Sequence, residues 1–375
     1  MKIGILSFFD SNDNYGQLLQ CYALQQVLIE RGHEPCHLRY KGGFEAYPLW
    51  WNFLRKAYFL VFHPVRTYRQ VFKSHQRLCP QRRFDEFREK HLLLSSEEYH
   101  SYRELQCKQD RSLSMFICGS DQVWVNLEKH NQASLAYLLD FVASEQKRVA
   151  YAASFGLPVN EENRTFVARE LRKIDHIGVR EKGGKLFCDS CGIHSSLVCD
   201  PTLLVSKNAY DGLISEAQAV GKHSPFAFCY RMGAKTDFPE ERMSLFCREN
   251  HLSLRMVLSQ PDKDVIHSGE ELSIPDWLKA YRDTGYVFTN SYHGTIFAVL
   301  MHKNFMAFPL RGAMAPMNDR LYTLLEILDL KERLYDFEKQ NFDSIVSVLI
   351  DWDAVDRKLE EYRTTSMNYL ISCGL

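Results

Sequence analysis

A chain of 375 residues exceeds what one ordinary core holds and predicts two or three domains. Its formal net charge of −1 gives the molecule as a whole no field for nucleic acid or an anionic membrane, and 45% hydrophobic with 25% charged content is the balance of a soluble globular protein. Eleven cysteines, an odd number with no regular spacing, read as small core residues of a reducing compartment.

The N-terminal apolar run meets Asp10 before it reaches the length of a signal segment, and no stretch reaches the ~18 apolar residues of a membrane span. The expectation is a cytoplasmic protein, with peripheral contact at the inner face of the membrane left open. Apolar runs predict strands over 3–8, 36–40, 115–119, 149–154, 177–180 and 197–199, with helical patterns between several of them. Asp200-Pro201 ends the last of these, since the proline ring fixes φ and restricts its predecessor. A second alternating series follows Pro225, with strands over 226–230, 254–258, 286–289 and 305–308 and helices over 239–250, 275–282, 294–302 and 318–328. Strands separated by helices indicate parallel sheets with right-handed crossovers. The predicted fold is α/β, two doubly wound Rossmann-like domains facing across a cleft, at 1–210 and 222–335, with a helical tail over 336–375.

One stretch breaks the pattern. Between Pro48 and Lys90, Lys and Arg outnumber Asp and Glu ten to three, interleaved with Trp50, Trp51, Phe53, Tyr58, Phe59 and Phe62. A helical insertion over about 48–110 is expected there. Whether it is a lid, a membrane-surface patch near a lipid-linked substrate or a plain insertion with a solvated basic face stays open. Cys188 and Cys191 form one CxxC without a second pair or histidine at zinc spacing, so no metal site is expected.

In open α/β sheets ligands sit beyond the carboxyl ends of the strands. The residues there are Asn14, Tyr15, Gly16 and Gln17 after the first strand, Ser120, Asp121 and Gln122 after the 115–119 run, Arg180 and Glu181, Asp200 to Thr202, and Thr289-Asn290-Ser291-Tyr292-His293-Gly294-Thr295. The last group joins a strand, a polar turn and a helix start around one imidazole. Unpaired N–H groups at a helix N-terminus bind anions, so a phosphate or carboxylate is the expected ligand. Singly, each group has a plainer reading: Asn14 as a helix cap, Asp121 as a cap, Gln122 as a surface residue, Arg180 and Glu181 as an ordinary ion pair, His293 as a hydrogen-bonded structural histidine. Their common position at strand ends favours a site.

The ordered stretches Asn14-Tyr15-Gly16, Cys118-Gly119-Ser120-Asp121-Gln122-Val123-Trp124, Tyr151 to Gly156, Val179-Arg180-Glu181, Asp200 to Leu204, Thr289 to Thr295 and Asn318-Asp319-Arg320-Leu321 resemble the polysaccharide pyruvyl transferase family. Asn290, Tyr292 and Val125 depart from the Asp, Phe and Asn that many relatives carry there. The resemblance implies a GT-B-type fold and transfer of the carboxyethylidene group of phosphoenolpyruvate onto two sugar hydroxyls, with release of phosphate. No cofactor is implied beyond phosphoenolpyruvate as co-substrate.

Carried onto this sequence, the resemblance implies a donor site of Arg180, Arg320, Asn290, Ser291, Gly294 and Thr295. His293 would serve as general acid/base or as stabiliser of the departing phosphate, with Arg180 and Asp121 also catalytic. Asn14, Tyr15, Gln17, Ser120, Asp121 and Gln122 would hold an acceptor sugar, free or lipid-linked. A glycosyltransferase using a nucleotide sugar and a non-catalytic phospho-ligand or sugar-binding module are the alternatives.

Overall fold

The computed structural model describes residues 1–12, 14–42, 82–218, 225–232, 238–259 and 270–375. Most of the basic, aromatic stretch, residues 48–81, lies outside the described residues. Strands β1 (Lys2–Leu6), β2 (Glu34–Tyr40), β3 (Leu94–Tyr99), β4 (Met115–Cys118), β5 (Lys147–Ala153), β6 (His176–Val179) and β7 (Ser196–Leu197) form one parallel sheet in the order β3-β2-β1-β4-β5-β6-β7. The all-buried Met115-Phe116-Ile117-Cys118 of β4 is the continuous apolar run of a strand covered on both faces. Strands β8 (Phe226–Arg231), β9 (Ser253–Leu258), β10 (Tyr286–Thr289) and β11 (Phe305–Ala307) form a second parallel sheet in the order β11-β10-β8-β9. The α/β architecture with two doubly wound sheets is therefore as the sequence predicts.

Strand β3 is a correction. It falls where a helical insertion is expected, and its Leu-Ser-Ser-Glu-Glu-Tyr pattern lacks a buried apolar run because it is an edge strand. Charged side chains suit such an edge, since they discourage pairing with another chain. Lys41 Nζ holds Glu98 Oε2 at 2.9 Å there.

Helix α1 (Tyr15–Glu30) is apolar nearly all round, with Leu18, Leu19, Ala23, Leu24, Val27 and Leu28 buried, which marks a helix enclosed by protein. One apolar cluster runs from Ile3, Ile5 and Leu18 to Phe226, Tyr230, Val287 and Ile296, so the two sheets share it. At its centre Tyr15 stacks on Trp277, ring centroids 5.1 Å apart, and donates its hydroxyl to the Leu272 carbonyl at 2.7 Å. Further helices are α2 (Phe84–His91), α3 (Tyr102–Lys108), α4 (Gln132–Tyr137), α5 (Glu161–Leu171), α6 (Lys182–Ser190), α7 (Pro201–Leu204), α8 (Lys207–Ser215), α9 (Glu240–Glu249), α10 (Ile274–Asp283), α11 (Tyr292–Leu300), α12 (Asp319–Ile327), α13 (Phe342–Ser347) and α14 (Trp352–Ser372).

Helix α11 begins at Tyr292, two residues before the sequence expectation. Ser291 is its N-cap and its Oγ accepts the Gly294 N–H at 3.2 Å, which draws Tyr292 and His293 into the first turn. The tail is helical, and α14 crosses back to the first sheet. Tyr369 donates to the Ala150 carbonyl at 2.8 Å, Ser366 Oγ accepts from the Cys199 amide at 2.8 Å, and Lys147 Nζ reaches the Cys373 carbonyl at 3.1 Å. Among the described residues, no helix is long and apolar enough to cross a membrane.

Candidate active site

Asp200 is the hub of the site. It follows β7 as the N-cap of α7, where Pro201 suits the first helical turn, and its side chain is fully buried. Oδ1 accepts from the Thr202 amide at 3.0 Å and the Thr202 hydroxyl at 2.7 Å. Oδ2 accepts from Arg180 Nη1 at 2.7 Å and Ser120 Oγ at 3.2 Å, and lies 3.3 Å from His293 Nε2. Burial would push this carboxyl up, but the charges of His293 and Arg180 and the Thr202 hydroxyl outweigh it and hold the group below the usual carboxylate range. The imidazole contact is an ion-pair distance without hydrogen-bond alignment, and Nε2 is buried with no hydrogen-bond partner among the described residues.

Arg180 leaves the end of β6 fully buried, with Nη2 3.4 Å from Asp121 Oδ1 and its guanidinium 4.8 Å from the centre of the Tyr292 ring. Despite the burial that would lower it, Asp200, Tyr292, Asp121 and Glu181 keep its charge firmly in place. Asp121 sits after β4 with φ of 80°, a left-handed backbone that aspartate tolerates better than most residues and that points the strand end at the arginine.

Arg320, on the first turn of α12, lies on the same Tyr292 ring at 5.6 Å. It is 92% buried (8% exposed), yet it makes no ion pair or hydrogen bond among the described residues. Burial first and the neighbouring charge of Arg180 second push its guanidinium down to about 10. A buried cation without an ion pair or hydrogen bond is costly to the fold.

The remaining residues singled out in the sequence divide clearly. Gly16, His293, Ser120, Asp121, Arg180 and Arg320 gather around Asp200 and Tyr292. Gly16 has no side chain because His293 occupies that space: a Cβ there would fall 2.2 Å from the imidazole Nδ1. Ser291 and Thr295 are spent within α11, Ser291 on the cap and Thr295 Oγ1 on the Ser291 carbonyl at 3.1 Å. With Gly294 N–H capped, the amides of Tyr292 and His293 are left at the mouth of the helix. Asn290 clamps the end of β8, accepting from the Met232 amide at 2.7 Å and donating to the Met232 carbonyl at 2.5 Å. An aspartate could not donate, which accounts for asparagine at this position.

Asn14 caps α1 by accepting from the Gln17 amide at 3.3 Å, and Gln17 Oε1 accepts from the Ser11 amide at 2.8 Å. Tyr15 is wholly buried between the sheets, so it offers no handle to a sugar. Gln122 keeps one buried Nε2 without a partner among the described residues. Cys188 and Cys191 are free thiols, and burial pushes Cys188 up to about 11.

Two residues were under-read from sequence. Asp200 looks like a strand terminator in front of proline; its place after a strand and in the ordered series of stretches marked it, but no role was assigned to it. Glu181 reads as a partner of Arg180, but Arg180 turns to Asp200, and Glu181 Oε1 accepts instead from the Phe155 amide at 2.7 Å.

A sequence model of the polysaccharide pyruvyl transferase family matches residues 14–310. The chain belongs to the polysaccharide pyruvyl transferase family. The matched stretch contains Asp121, Arg180, Asp200 and His293, with Arg320 beyond its end, and the family is one of transferases. Among curated proteins, none matches the chain. Among solved structures, the UDP-N-acetylglucosamine 2-epimerase of Rickettsia bellii is similar over 99% of this chain and 96% of its own, at 9% identity and a TM-score of 0.51. The UDP-GlcNAc 2-epimerase of Neisseria meningitidis, bound to UDP-GlcNAc, aligns over 98% and 94% at 8% identity with a TM-score of 0.49. At 9% identity the R. bellii likeness is one of fold, the GT-B-type pairing of two doubly wound sheets that this pyruvyl transferase family member shares.

Proposed function

We propose that the protein transfers the carboxyethylidene group of phosphoenolpyruvate to two hydroxyls of a sugar in a cell-surface polysaccharide or its precursor, and releases phosphate. The observation that carries this reading is Arg320, a buried cation with no ion pair or hydrogen bond among the described residues, on the ring of Tyr292, the neighbour of His293 in the first turn of α11. A trianionic donor supplies the missing charge. Its phosphate and carboxylate divide between the guanidinium of Arg320, the N–H donors at the start of α11 and Arg180, whose Nε has no hydrogen-bond partner among the described residues.

The chemistry follows from that placement. A proton from His293 to the donor methylene makes a methyl group and leaves an oxocarbenium-like centre at C2. A sugar hydroxyl adds to C2, the C2–O bond to phosphate breaks, and the second hydroxyl closes the ketal. The two hydroxyl protons replace the one given to the methyl carbon and supply the one carried by phosphate. Asp200 holds the imidazolium by charge and Gly16 leaves it room. The family membership supports the reaction class.

The test is phosphate release from phosphoenolpyruvate with a sugar acceptor, compared with a nucleotide sugar under the same conditions. Release that depends on phosphoenolpyruvate and acceptor together is expected. His293→Gln should lower kcat by about 10²–10⁴ while changing donor affinity far less. A wild-type protein that turns over only the nucleotide sugar would overturn the reading.

A further inference from the structure

In the stretch Asn318-Asp319-Arg320-Leu321 one polar residue has so far no role. Arg320 enters the donor reading. Asn318 is structural: its side chain accepts from the Leu310 amide and donates to the Leu310 carbonyl, both at 2.8 Å, which ties the start of α12 to the chain leaving β11. Asp319 is spent on a different helix. Its Oδ2 accepts at 2.8 Å from the amide of Gly183, in the first turn of α6.

Helix α6 lacks a cap of its own. Glu181 stands at its N-cap, but its side chain bonds no amide of the first turn and serves Phe155 instead. The amides of Lys182 and Gly183 are therefore orphans within the helix. α12 supplies both acceptors, Asp319 for Gly183 and Thr323 Oγ1 for the Lys182 amide at 3.1 Å. Glu326 pairs with Lys182 Nζ. Spacings of four and three residues put 319, 323 and 326 on one face of α12. A carboxylate at a helix N-terminus also meets the positive end of its dipole. Gly183 leaves the room this contact needs, since a Cβ there would fall 2.3 Å from Asp319 Oδ2.

This clasp adjoins both donor arginines. Arg180 and Glu181 lead directly into α6, and Arg320 follows Asp319. The two guanidiniums lie on the Tyr292 ring, 4.8 and 5.6 Å from its centre. Like charges in so buried a place repel, and Arg320 has no ion pair or hydrogen bond among the described residues to hold it there. The clasp fixes its backbone from the adjacent residue.

We propose that Asp319 and Thr323 are positioning residues: by capping α6 from α12 they hold the Arg320 guanidinium beside that of Arg180 and so set the affinity of the donor site. The inference rests on the pyruvyl-transfer reading for the identity of the donor. His293 is held separately, by Asp200 and by the room at Gly16, so loss of the clasp acts on donor binding rather than on turnover.

The double variant Asp319→Ala, Thr323→Val removes both acceptors, and the pair Asp319→Asn, Thr323→Ser keeps both. Gly183→Ala displaces the Asp319 carboxylate while bringing a better helix former into α6. Hydrogen exchange at the Lys182 and Gly183 amides reports the clasp itself. Titration with phosphoenolpyruvate, and with inorganic pyrophosphate as a plain polyanion, reports the site. In the double variant both amides should lose protection. Its Kd and KM for phosphoenolpyruvate should rise about tenfold or more, while kcat at saturating donor hardly changes. The conservative pair should restore donor affinity. Gly183→Ala should weaken donor binding with little change in melting temperature, which a general loss of structure would not produce. Freed amides with unchanged donor affinity overturn the proposal, and so do amides that stay protected in the double variant. A wild type that binds pyrophosphate but not phosphoenolpyruvate, with pyrophosphate weakened in the double variant, keeps the clasp and removes the pyruvyl-transfer reading. A wild type that binds neither anion overturns the positioning role.

Discussion

Gly16 lies directly against the imidazole of His293, in contact across the two sheets: a Cβ on the glycine would fall 2.2 Å from Nδ1, 2.3 Å from Cγ and 2.6 Å from Cβ. The ring cannot escape by swinging its tip, because the root of the side chain is equally close. Gly16→Ala should therefore displace the imidazole from Asp200 and lower kcat by about 10²–10⁴. Overpacking of about 1–3 kcal/mol is partly offset by the gain of about 1 kcal/mol from replacing glycine in a helix. A large loss of turnover with a modest change in melting temperature is expected. Wild-type kcat in this variant would remove the steric argument.

Arg320 sets function against stability. Its guanidinium is buried with no ion pair or hydrogen bond among the described residues, which costs the free protein stability. Arg320→Met should melt no lower than the wild type in the absence of ligand. Phosphoenolpyruvate at about 100 times its Kd should stabilise the wild type by about 2.7 kcal/mol and the variant hardly at all. Thermal melts with and without the donor check both halves. An equal shift in the two proteins would show that the donor binds elsewhere.

Asp200 predicts a pH dependence. Burial works against its ionisation, but His293 and Arg180 win, so the carboxyl is ionised more readily in the fold than in the unfolded chain. The stability it contributes is complete above the unfolded-chain value near 3.9 and is lost as pH falls below it. Asp200→Asn leaves Arg180 without its closest partner and should cost about 3–5 kcal/mol at neutral pH. That gap should stay level down to about pH 5 and narrow as pH falls below about 4. Urea unfolding of both proteins across this range measures it, and a gap that does not change with pH contradicts the assignment.

The sheets were legible because their strands are short apolar runs with turn residues behind them, as at Met115 to Cys118 and Tyr286 to Thr289. β3 was not, since an edge strand buries little and Ser95, Ser96, Glu97 and Glu98 carry no period-two signal. In the site, position after a strand marked His293, Arg180 and Asp121. It could not say which polar groups face a ligand and which serve the backbone. Asn14, Asn290 and Ser291 stand in the same kind of place as His293, yet their side chains bond to amides nearby in the chain or across the sheet. Asp200 also stood after a strand, but its role as the hub was not legible. An Asp-Pro pair is an ordinary way to end a strand and start a helix, and its partners Arg180 and His293 come from distant segments.

Asn290 separates structural from ligand-binding roles at the donor turn. Both faces of its amide are used by Met232, which ties the end of β10 to the end of β8 and so fixes where α11 begins. Asn290→Asp keeps the acceptor for the Met232 amide but sets a carboxylate against the Met232 carbonyl. Losing one partner of a part-buried bond costs about 1–3 kcal/mol, with added repulsion while the carboxylate is ionised. Stability should fall by that order at pH 7 and recover partly as the new carboxyl protonates in acid, since a protonated acid can again donate to the carbonyl. Donor affinity should change little once the protein is folded, because Met232 already takes both the oxygen and the nitrogen of the amide. Denaturant unfolding and phosphoenolpyruvate titration of the same variant decide between the roles: unchanged stability with a large loss of donor affinity would place Asn290 in the donor site itself.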